Sequence, residues 1–318
     1  MKIVVLDGNC VNPGDITWEP VEKLGDIKVY PRTAPDKVVE RIGDADIILT
    51  NKVLITEEIL VACPHLKYIG VLATGYNIID LEAAKKRNIP VTNIPGYSSQ
   101  AVSQFVFALL MEACCHVYEH SQSVHNGDWI TSEDFCYWKF PQIELWNKTL
   151  GIFGYGSIGV SVATVAKALG MKVICHTRTP SKIPTDSGIE AVSLEELWKE
   201  SDVISLHAPL TRETENLINK DSIAKMKEGV IIINTARGPL VNEKDMAEAL
   251  KDGKVGCFCA DVISKEPMAQ DNPLLHAPNC ILTPHIAWAT REARMRLMSI
   301  AADNIRAFLN GTPLNVVN

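Results

Sequence analysis

The chain of 318 residues is 47% hydrophobic, which is enough apolar material for two domains with separate cores. Its formal net charge of −7 is spread along the chain without a basic block, and this argues against nucleic acid as a partner. No stretch has the apolar length of a membrane span, and residues 1–7 predict a first strand rather than a signal peptide. We therefore expect no nucleic acid and no membrane among the partners of this chain.

Cysteine usage indicates the compartment. Nine cysteines, an odd number in a chain without a secretory signal, are typical of a reduced, cytoplasmic environment. Cys114 and Cys115 lie in an apolar helical stretch, and Cys257 and Cys259 lie in an apolar strand. Metal ligation and redox chemistry are alternatives for these thiols, but small buried hydrophobes are the preferred interpretation, so no metal site is expected.

The first hundred residues alternate short apolar strands with helices. Strands are predicted over 3–6, 27–30, 47–50, 68–73 and 91–93. Helices are predicted over 37–42, 57–62 and 81–86. Because short strands that alternate with helices form parallel sheets covered on both faces, residues 1–98 predict an α/β domain.

A connecting region follows. A long apolar helix predicted over 98–115 leads to residues 116–148, which are predicted to be irregular. This stretch is crowded with rings, namely His116, His120, His125, Trp129, Phe135, Tyr137, Trp138, Phe140 and Trp146. They form either a ligand pocket or an arm at a subunit interface. The interface is preferred because exposed aromatic clusters mark interfaces, so we expect a homodimer.

Residues 150–159 organise the second half of the chain. A buried strand over 150–153 precedes a helix over 157–169 and a strand over 172–177, and the turn between strand and helix carries Gly154, Gly156 and Gly159. The first glycine allows the tight turn, the second lets backbone approach a pyrophosphate, and the third lets helix pack on strand. The helix N-terminus offers N–H groups to the phosphates. This unit predicts a dinucleotide site, which also includes Tyr155, Ser157 and Ile158.

The alternation continues to the end of the chain. Strands are predicted over 189–192, 203–207, 229–235, 255–262 and 281–283. Helices are predicted after a capping box at 193–196 and over 221–226, 243–251 and 290–309, and the last of them is expected to pack on the first domain. The chain therefore predicts two doubly wound parallel-sheet α/β domains. A discontinuous substrate-binding domain contains residues 1–98 plus 290–318, and a dinucleotide-binding Rossmann domain contains residues 99–289.

Candidate catalytic residues follow three strands of the second domain. Ligands of an open parallel sheet bind beyond the carboxyl ends of its strands, and Arg237, Glu266 and His285 follow strands at the same edge as the glycine turn. An imidazole can give a proton to a carbonyl oxygen as hydride arrives, and a carboxylate on its other ring nitrogen fixes the tautomer. A guanidinium can bind a carboxylate and polarise a carbonyl. These residues suit hydride transfer to a small 2-oxo acid, with Arg237 and His285 also binding the substrate.

The first domain has candidates at its own strand ends. Lys52 follows the strand over 47–50 and adds positive charge for an anionic substrate, with a solvated surface lysine as the alternative. Ala73 ends the strand over 68–73 and Thr74 and Gly75 follow it, and the N–H groups of Thr74 and Gly75 suit a substrate carboxylate.

These motifs resemble those of the D-isomer-specific 2-hydroxyacid dehydrogenases, most closely the glycerate dehydrogenase and hydroxypyruvate reductase branch. The resemblance covers nearly the whole chain and rests on the glycine turn, the runs 207–211, 234–238 and 283–285, and the segment 261–267. It implies a flavodoxin-like substrate domain, an active site in the cleft between the domains, and reduction of hydroxypyruvate or glyoxylate to D-glycerate or glycolate. It also implies the catalytic roles of Arg237, Glu266 and His285.

The resemblance implies further cofactor contacts. The family places the residue that matches Asp261 near the nicotinamide amide. It lines the adenine and ribose side with residues that match His207, Pro209 and Thr235, and the adjacent Ala208 and Ala236 are counted with them.

Three alternatives stay open. The chain is similar to D-2-hydroxyacid dehydrogenases that act on other acids. Formate dehydrogenases of this fold have glutamine where this chain has Glu266, which argues against that activity. Nucleotide-sensing co-repressors of the same fold share the catalytic trio, but this chain extends little beyond the two domains.

The end of the strand over 172–177 bears on the cofactor. NAD enzymes usually place an acidic residue there, about 20 residues after the glycine turn, to accept hydrogen bonds from the ribose. This chain has Thr177 and Arg178 instead. Because an arginine fork and a threonine hydroxyl suit a 2′-phosphate, we expect NADP(H) to be favoured, with NAD(H) possible.

Overall fold

The computed structural model describes every residue from Met1 to Asn318. The chain divides into two compact units, a first unit of residues 1–98 with 288–318 and a second unit of residues 99–287. The chain re-enters the first unit at residue 288. Both units are built on parallel sheets, which confirms the predicted fold class.

The first unit contains a five-stranded sheet. Its strands are β1 (Lys2–Val5), β2 (Asp26–Val29), β3 (Ile47–Thr50), β4 (Tyr68–Val71) and β5 (Val91–Thr92), and its first four helices are α1 (Glu19–Glu22), α2 (Val38–Ile42), α3 (Glu57–Ala62) and α4 (Leu81–Lys86). The strand order β2-β1-β3-β4-β5 is that of flavodoxin-like folds. β3 and β4 are buried along their whole length, which is why they are continuous apolar runs.

The second unit contains a seven-stranded sheet. It opens with α5 (Ser99–Cys115) and α6 (Val117–His125). Its strands are β6 (Thr149–Phe153), β7 (Lys172–His176), β8 (Glu190–Ala191), β9 (Val203–Leu206), β10 (Val230–Asn234), β11 (Val255–Ala260) and β12 (Cys280–Leu282). The helices among them are α7 (Ser157–Ala168), α8 (Leu194–Glu200), α9 (Lys220–Ala224) and α10 (Glu243–Lys251), and the final helix α11 (Arg291–Leu309) returns to the first unit.

The strand order of the second sheet places the glycine turn. The order β12-β11-β10-β9-β6-β7-β8 reverses direction at β6, with β7 on one side and β9 on the other. In open α/β sheets the ligand crevice lies beyond the carboxyl ends of the strands at such a switch point. The turn that follows β6 therefore lies where a dinucleotide binds.

Helices cover both faces of this second sheet. On β10, Ile231 and Ile233 pack on the α5 and α7 side of the sheet. The intervening Ile232 packs on the opposite side, with residues of α8 and α10. Because both faces are covered, every residue of β10 is buried, as its isoleucine-rich sequence predicts.

The structure corrects two local expectations. Residues 116–148 are not irregular throughout, because α6 forms directly after His116, whose left-handed φ of 49° separates it from α5. The capping box expected at 193–196 is half formed: Ser193 accepts the Glu196 N–H at 3.2 Å, but Glu196 is exposed and returns no bond. A complete reciprocal box lies instead between Asn219 and Ser222, at the start of α9.

Several strands are shorter than expected. The strand predicted over 189–192 is only β8, a short exposed edge beside β7, and the strand predicted over 255–262 ends at Ala260.

No single helix is long and apolar enough to cross a membrane, although α5 and α6, bent by 57° at their junction, meet that measure as a pair in length and composition.

Candidate active site

The glycine turn after β6 is closed by protein at two of its glycines and open at the third. Gly154 has a φ of +101°, and a Cβ added there would lie 2.8 Å from the His207 backbone. A Cβ at Gly159 would lie 2.3 Å from the Gly154 carbonyl oxygen. A Cβ at Gly156 would meet no atom within 4 Å. The open space at Gly156 is where a phosphate approaches the backbone in this motif.

The N-terminus of α7 suits an anion. Gly156 caps this helix without a side chain, and the first helical amide with a backbone partner is that of Val160, which donates to Gly156 at 2.9 Å. The amides of Ser157, Ile158 and Gly159 have no partner within the protein. Because these amides sit at the positive end of the helix dipole, they can donate to a pyrophosphate.

Two buried polar atoms near this turn lack a partner. His207 Nδ1 and Thr235 Oγ1 are buried and accept or donate no hydrogen bond within the protein; the remaining such side-chain atom in the chain is Ser103 Oγ in α5. The other ring nitrogen of His207 lies 2.8 Å from Ser205 Oγ, and burial lowers the pKa of His207 to about 3. The ring is therefore neutral at working pH, and its orphaned nitrogen fits a hydroxyl of a bound dinucleotide. The residues present fit this cofactor.

The end of β7 carries the candidate phosphate contacts. Arg178 is exposed, and Thr177 Oγ1 accepts the Thr179 N–H at 3.4 Å. The structure adds a carboxylate that sequence reasoning missed. A hydrogen bond from Thr211 at 2.7 Å and the positive charge of Arg178 lower the pKa of Glu213. Glu213 follows β9, and because β7 and β9 both flank β6, their carboxyl ends share one edge of the sheet.

The loop after β10 is held by a buried asparagine. Asn234, fully buried, donates from Nδ2 to the Arg237 carbonyl at 2.9 Å and accepts the Ala236 N–H at 3.0 Å. Arg237 itself is exposed and donates from Nη1 to the Ala236 carbonyl at 2.7 Å. Sequence reasoning identified Arg237 but missed Asn234, whose side-chain bonds to the loop stabilise the backbone that carries the guanidinium.

The structure brings His285 and Glu266 together. His285 Nδ1 lies 2.7 Å from Glu266 Oε2, with 28% of the histidine side chain and 34% of the glutamate side chain exposed. His285 adopts a left-handed φ of 56°, a conformation that costs a non-glycine residue energy. The contact with the carboxylate fixes the tautomer and the orientation of the imidazole ring.

A buried carboxylate fixes the turn that carries His285. Asp261, 1% exposed, accepts the Thr283 hydroxyl at 2.7 Å and the Ile286 and Ala287 N–H groups at 2.8 Å. These bonds fix the chain before and after His285. The contact of Asp261 with the nicotinamide amide, implied by the resemblance, stays a prediction.

The candidates of the first unit lie at the carboxyl edge of its own sheet. The Lys52 N–H donates to the carboxylate of Asp7 at 2.6 Å, and its side chain is exposed. Thr74 donates from Oγ1 to the Ile94 carbonyl at 2.9 Å, and Ala73 and Gly75 beside it are half-buried. Sequence reasoning missed the buried Asp7, which orders the loop after β3.

A Rossmann sheet with an open glycine turn, and a histidine–carboxylate pair at the same edge, define a nucleotide-dependent oxidoreductase. The family model for the NAD-binding domain of D-isomer specific 2-hydroxyacid dehydrogenases matches residues 107–287. A hydroxypyruvate reductase from Blautia hydrogenotrophica is 51% identical over 321 residues, covering 100% of both chains. A glycerate dehydrogenase from Methylorubrum extorquens is 41% identical over 319 residues, covering 99% of this chain and 98% of that one.

Solved structures agree. An acyclic imino acid reductase in complex with NADPH and D-Arg has a TM-score of 0.87 to this chain at 32% sequence identity, with 100% of both chains covered. The chain belongs to the D-isomer-specific 2-hydroxyacid dehydrogenase family, and its cofactor is a nicotinamide dinucleotide. The family expected from the sequence motifs is thereby confirmed.

Proposed function

We propose that the protein reduces hydroxypyruvate or glyoxylate with NAD(P)H, giving D-glycerate or glycolate. The observation that carries this proposal is the 2.7 Å pair of His285 and Glu266 at the sheet edge that also bears the glycine turn. A hydroxypyruvate reductase that is 51% identical over the full chain supports the choice of acid.

His285, Glu266 and Arg237 have different roles in the proposed reduction. A dinucleotide held by the glycine turn and the start of α7 would supply the hydride for the carbonyl carbon of the 2-oxo acid. His285 gives the proton that completes the new hydroxyl group, and Glu266 orients the imidazole through Nδ1. Arg237 binds the substrate carboxylate and polarises the carbonyl with one planar group. The reverse reaction oxidises D-glycerate, with neutral His285 taking the proton.

We assign the remaining candidates to binding. The glycine turn 154–159 and the amides at the start of α7 hold the pyrophosphate, and His207, Ala208, Pro209, Thr235, Ala236 and Asp261 contact the rest of the dinucleotide. The first unit is assigned to substrate binding, through Lys52, Ala73, Thr74 and Gly75.

A substrate panel tests this function. Purified protein is incubated with NADPH or NADH and hydroxypyruvate, glyoxylate, pyruvate or formate, and the absorbance of the dinucleotide is followed. We expect rapid oxidation with hydroxypyruvate and glyoxylate. Tight dinucleotide binding without turnover on any acid would instead indicate a nucleotide-sensing protein.

For the cofactor, we propose a preference for NADPH over NADH. Arg178 is exposed at the end of β7 beside Thr177, and no carboxylate follows directly on that strand. Arg178→Ala should raise the KM for NADPH and leave the KM for NADH nearly unchanged, because only NADPH has the 2′-phosphate. Glu213→Gln is the matched variant. Removing the negative charge of Glu213 near Arg178 should lower the KM for NADPH, because that charge repels a 2′-phosphate.

Steady-state kinetics with both dinucleotides checks the preference. An enzyme that favours NADH tenfold or more in kcat/KM, a gap of about 1.4 kcal/mol, contradicts the assigned role of Arg178.

We further propose a homodimer that associates through the arm, defined as residues 116–148. Several large apolar side chains of the arm are exposed in the single chain, with Ile130 at 87% and Phe135 at 89%. Trp129, Trp138 and Trp146 are more than half exposed as well. A cluster of this kind is rare on a monomer and typical of an interface.

A further inference from the structure

Glu243 is the first residue of α10, but its carboxylate binds a different part of the chain, the segment after β11. Oε1 accepts the Ser264 N–H at 2.6 Å, and Oε2 accepts the Ser264 hydroxyl at 2.7 Å and the Asn272 side-chain amide at 2.9 Å. The N-cap of α10 is the neighbouring Asn242, which accepts the Asp245 N–H. Glu243 therefore connects the helix to the segment after β11 through three short hydrogen bonds to an ionised group, a strong type of contact.

That segment, residues 263–272, carries Glu266. Ser264 precedes Glu266 by two residues, and the Ile263 N–H lies 3.4 Å from Glu266 Oε1. Glu266 in turn holds His285 at 2.7 Å. Glu243 thus binds the segment at Ser264, two residues before the carboxylate that contacts His285.

The segment is also fixed against the loop of Arg237. A Cβ added at Gly238 would lie 1.9 Å from the Ile263 carbonyl, so the two backbones are in direct contact there. Only glycine permits this approach. Because Gly238 and Glu243 lie on the same connection between β10 and α10, that connection positions both the guanidinium and the segment of Glu266.

We propose that Glu243 is a positioning residue of the active site, which holds the segment 263–272 so that Glu266 stays against His285. The proposal rests on the proposed reduction of 2-oxo acids. An acidic residue in the first helical turn also stabilises the helix dipole, but that effect needs no contact with Ser264 or Asn272. The two roles therefore make different predictions.

The chain offers a matched control for the dipole effect. Asp245 lies in the same first turn of α10, and its carboxylate accepts a backbone amide too, that of Lys220 at 2.9 Å. Asp245→Asn removes the same charge from the same helix end but touches no residue of the segment 263–272.

Glu243→Ala should lower kcat for hydroxypyruvate reduction by about 10- to 100-fold, the cost of misplacing a catalytic group by about 1 Å. Glu243→Gln keeps one acceptor oxygen and should lose less. The KM for the dinucleotide should stay within about twofold, since the glycine turn is not involved. Asp245→Asn should leave kcat nearly unchanged, because its carboxylate contacts Lys220 and not the segment 263–272.

A double-mutant cycle separates the positioning role from a purely structural one. If Glu243 acts through Glu266, then Glu243→Gln should have little further effect on kcat in a Glu266→Gln background. Additive losses in kcat overturn the proposal.

Amide hydrogen exchange gives a readout that needs no turnover. In Glu243→Gln, the amides of residues 263–272 should exchange faster than in the wild type, with little change in α7. Unchanged exchange in that segment overturns the proposal even in an active enzyme. A wild type that reduces no acid refutes the proposed function alone, because the exchange result still decides whether Glu243 holds the segment.

Discussion

The 2.7 Å contact between His285 Nδ1 and Glu266 fixes the orientation of the imidazole that we propose as the proton donor. His285→Ala should therefore lower kcat for hydroxypyruvate by about 10²–10⁴-fold, the usual worth of general acid–base catalysis. Dinucleotide binding, measured by fluorescence titration, should survive, because the glycine turn and α7 are untouched. Near-normal kcat in the alanine enzyme would show that another group donates the proton.

At the level of single residues, the predicted topology identified candidate residues at the strand ends, but the side-chain contacts that hold their loops could not be predicted. Arg237, Glu266 and His285 were predicted as candidates because each follows a strand of one parallel sheet, and parallel strands end at one edge. Asn234, Glu213 and Glu243 were missed. Their bonds join positions that depend on loop conformation and rotamer, as with the 2.6 Å contact between Glu243 and Ser264, which are 21 residues apart.

At the scale of elements, Gly156 and Gly159 in the turn from β6 to α7 have different surroundings and therefore different roles. Gly159→Ala should destabilise the second unit, because its Cβ would lie 2.3 Å from the Gly154 carbonyl, and overpacking of this kind costs about 1–3 kcal/mol. Gly156→Ala should leave the free energy of unfolding nearly unchanged, since a Cβ there meets no atom within 4 Å. It should instead weaken dinucleotide binding by filling the space of the phosphate.

Urea unfolding and fluorescence titration of both variants check this contrast. Equal loss of stability in the two variants contradicts the different surroundings assigned to Gly156 and Gly159.

Elements were predicted well where burial is two-sided. β10 and β11 differ from their predicted ranges by no more than two residues at either end, because their apolar runs coincide with nearly complete burial. The helix α6 was missed because only one of its nine residues, Ser123, is buried. A helix that packs so little of itself shows no apolar stripe in its sequence.

At the scale of the whole molecule, the arm predicts association. Wild-type protein should sediment as a dimer at micromolar concentration, and Ile130→Glu with Phe135→Glu should shift it toward monomer because charges replace its two most exposed apolar side chains. Val61→Glu is the control, since Val61 in α3 is 58% exposed outside the arm. A wild type that sediments as a monomer contradicts the proposed interface.

The return of the chain at Trp288 has a consequence for synthesis on the ribosome. Residues 99–287 emerge as a complete unit before α11 exists, although the first sheet was made earlier. Leu297 and Ile305 of α11 are fully buried, and Phe308 packs its ring 4.8 Å from that of Tyr68 in β4. The first part of the chain to be translated therefore keeps an open apolar surface until the last residues arrive, and it is the part that most needs protection from aggregation in the meantime.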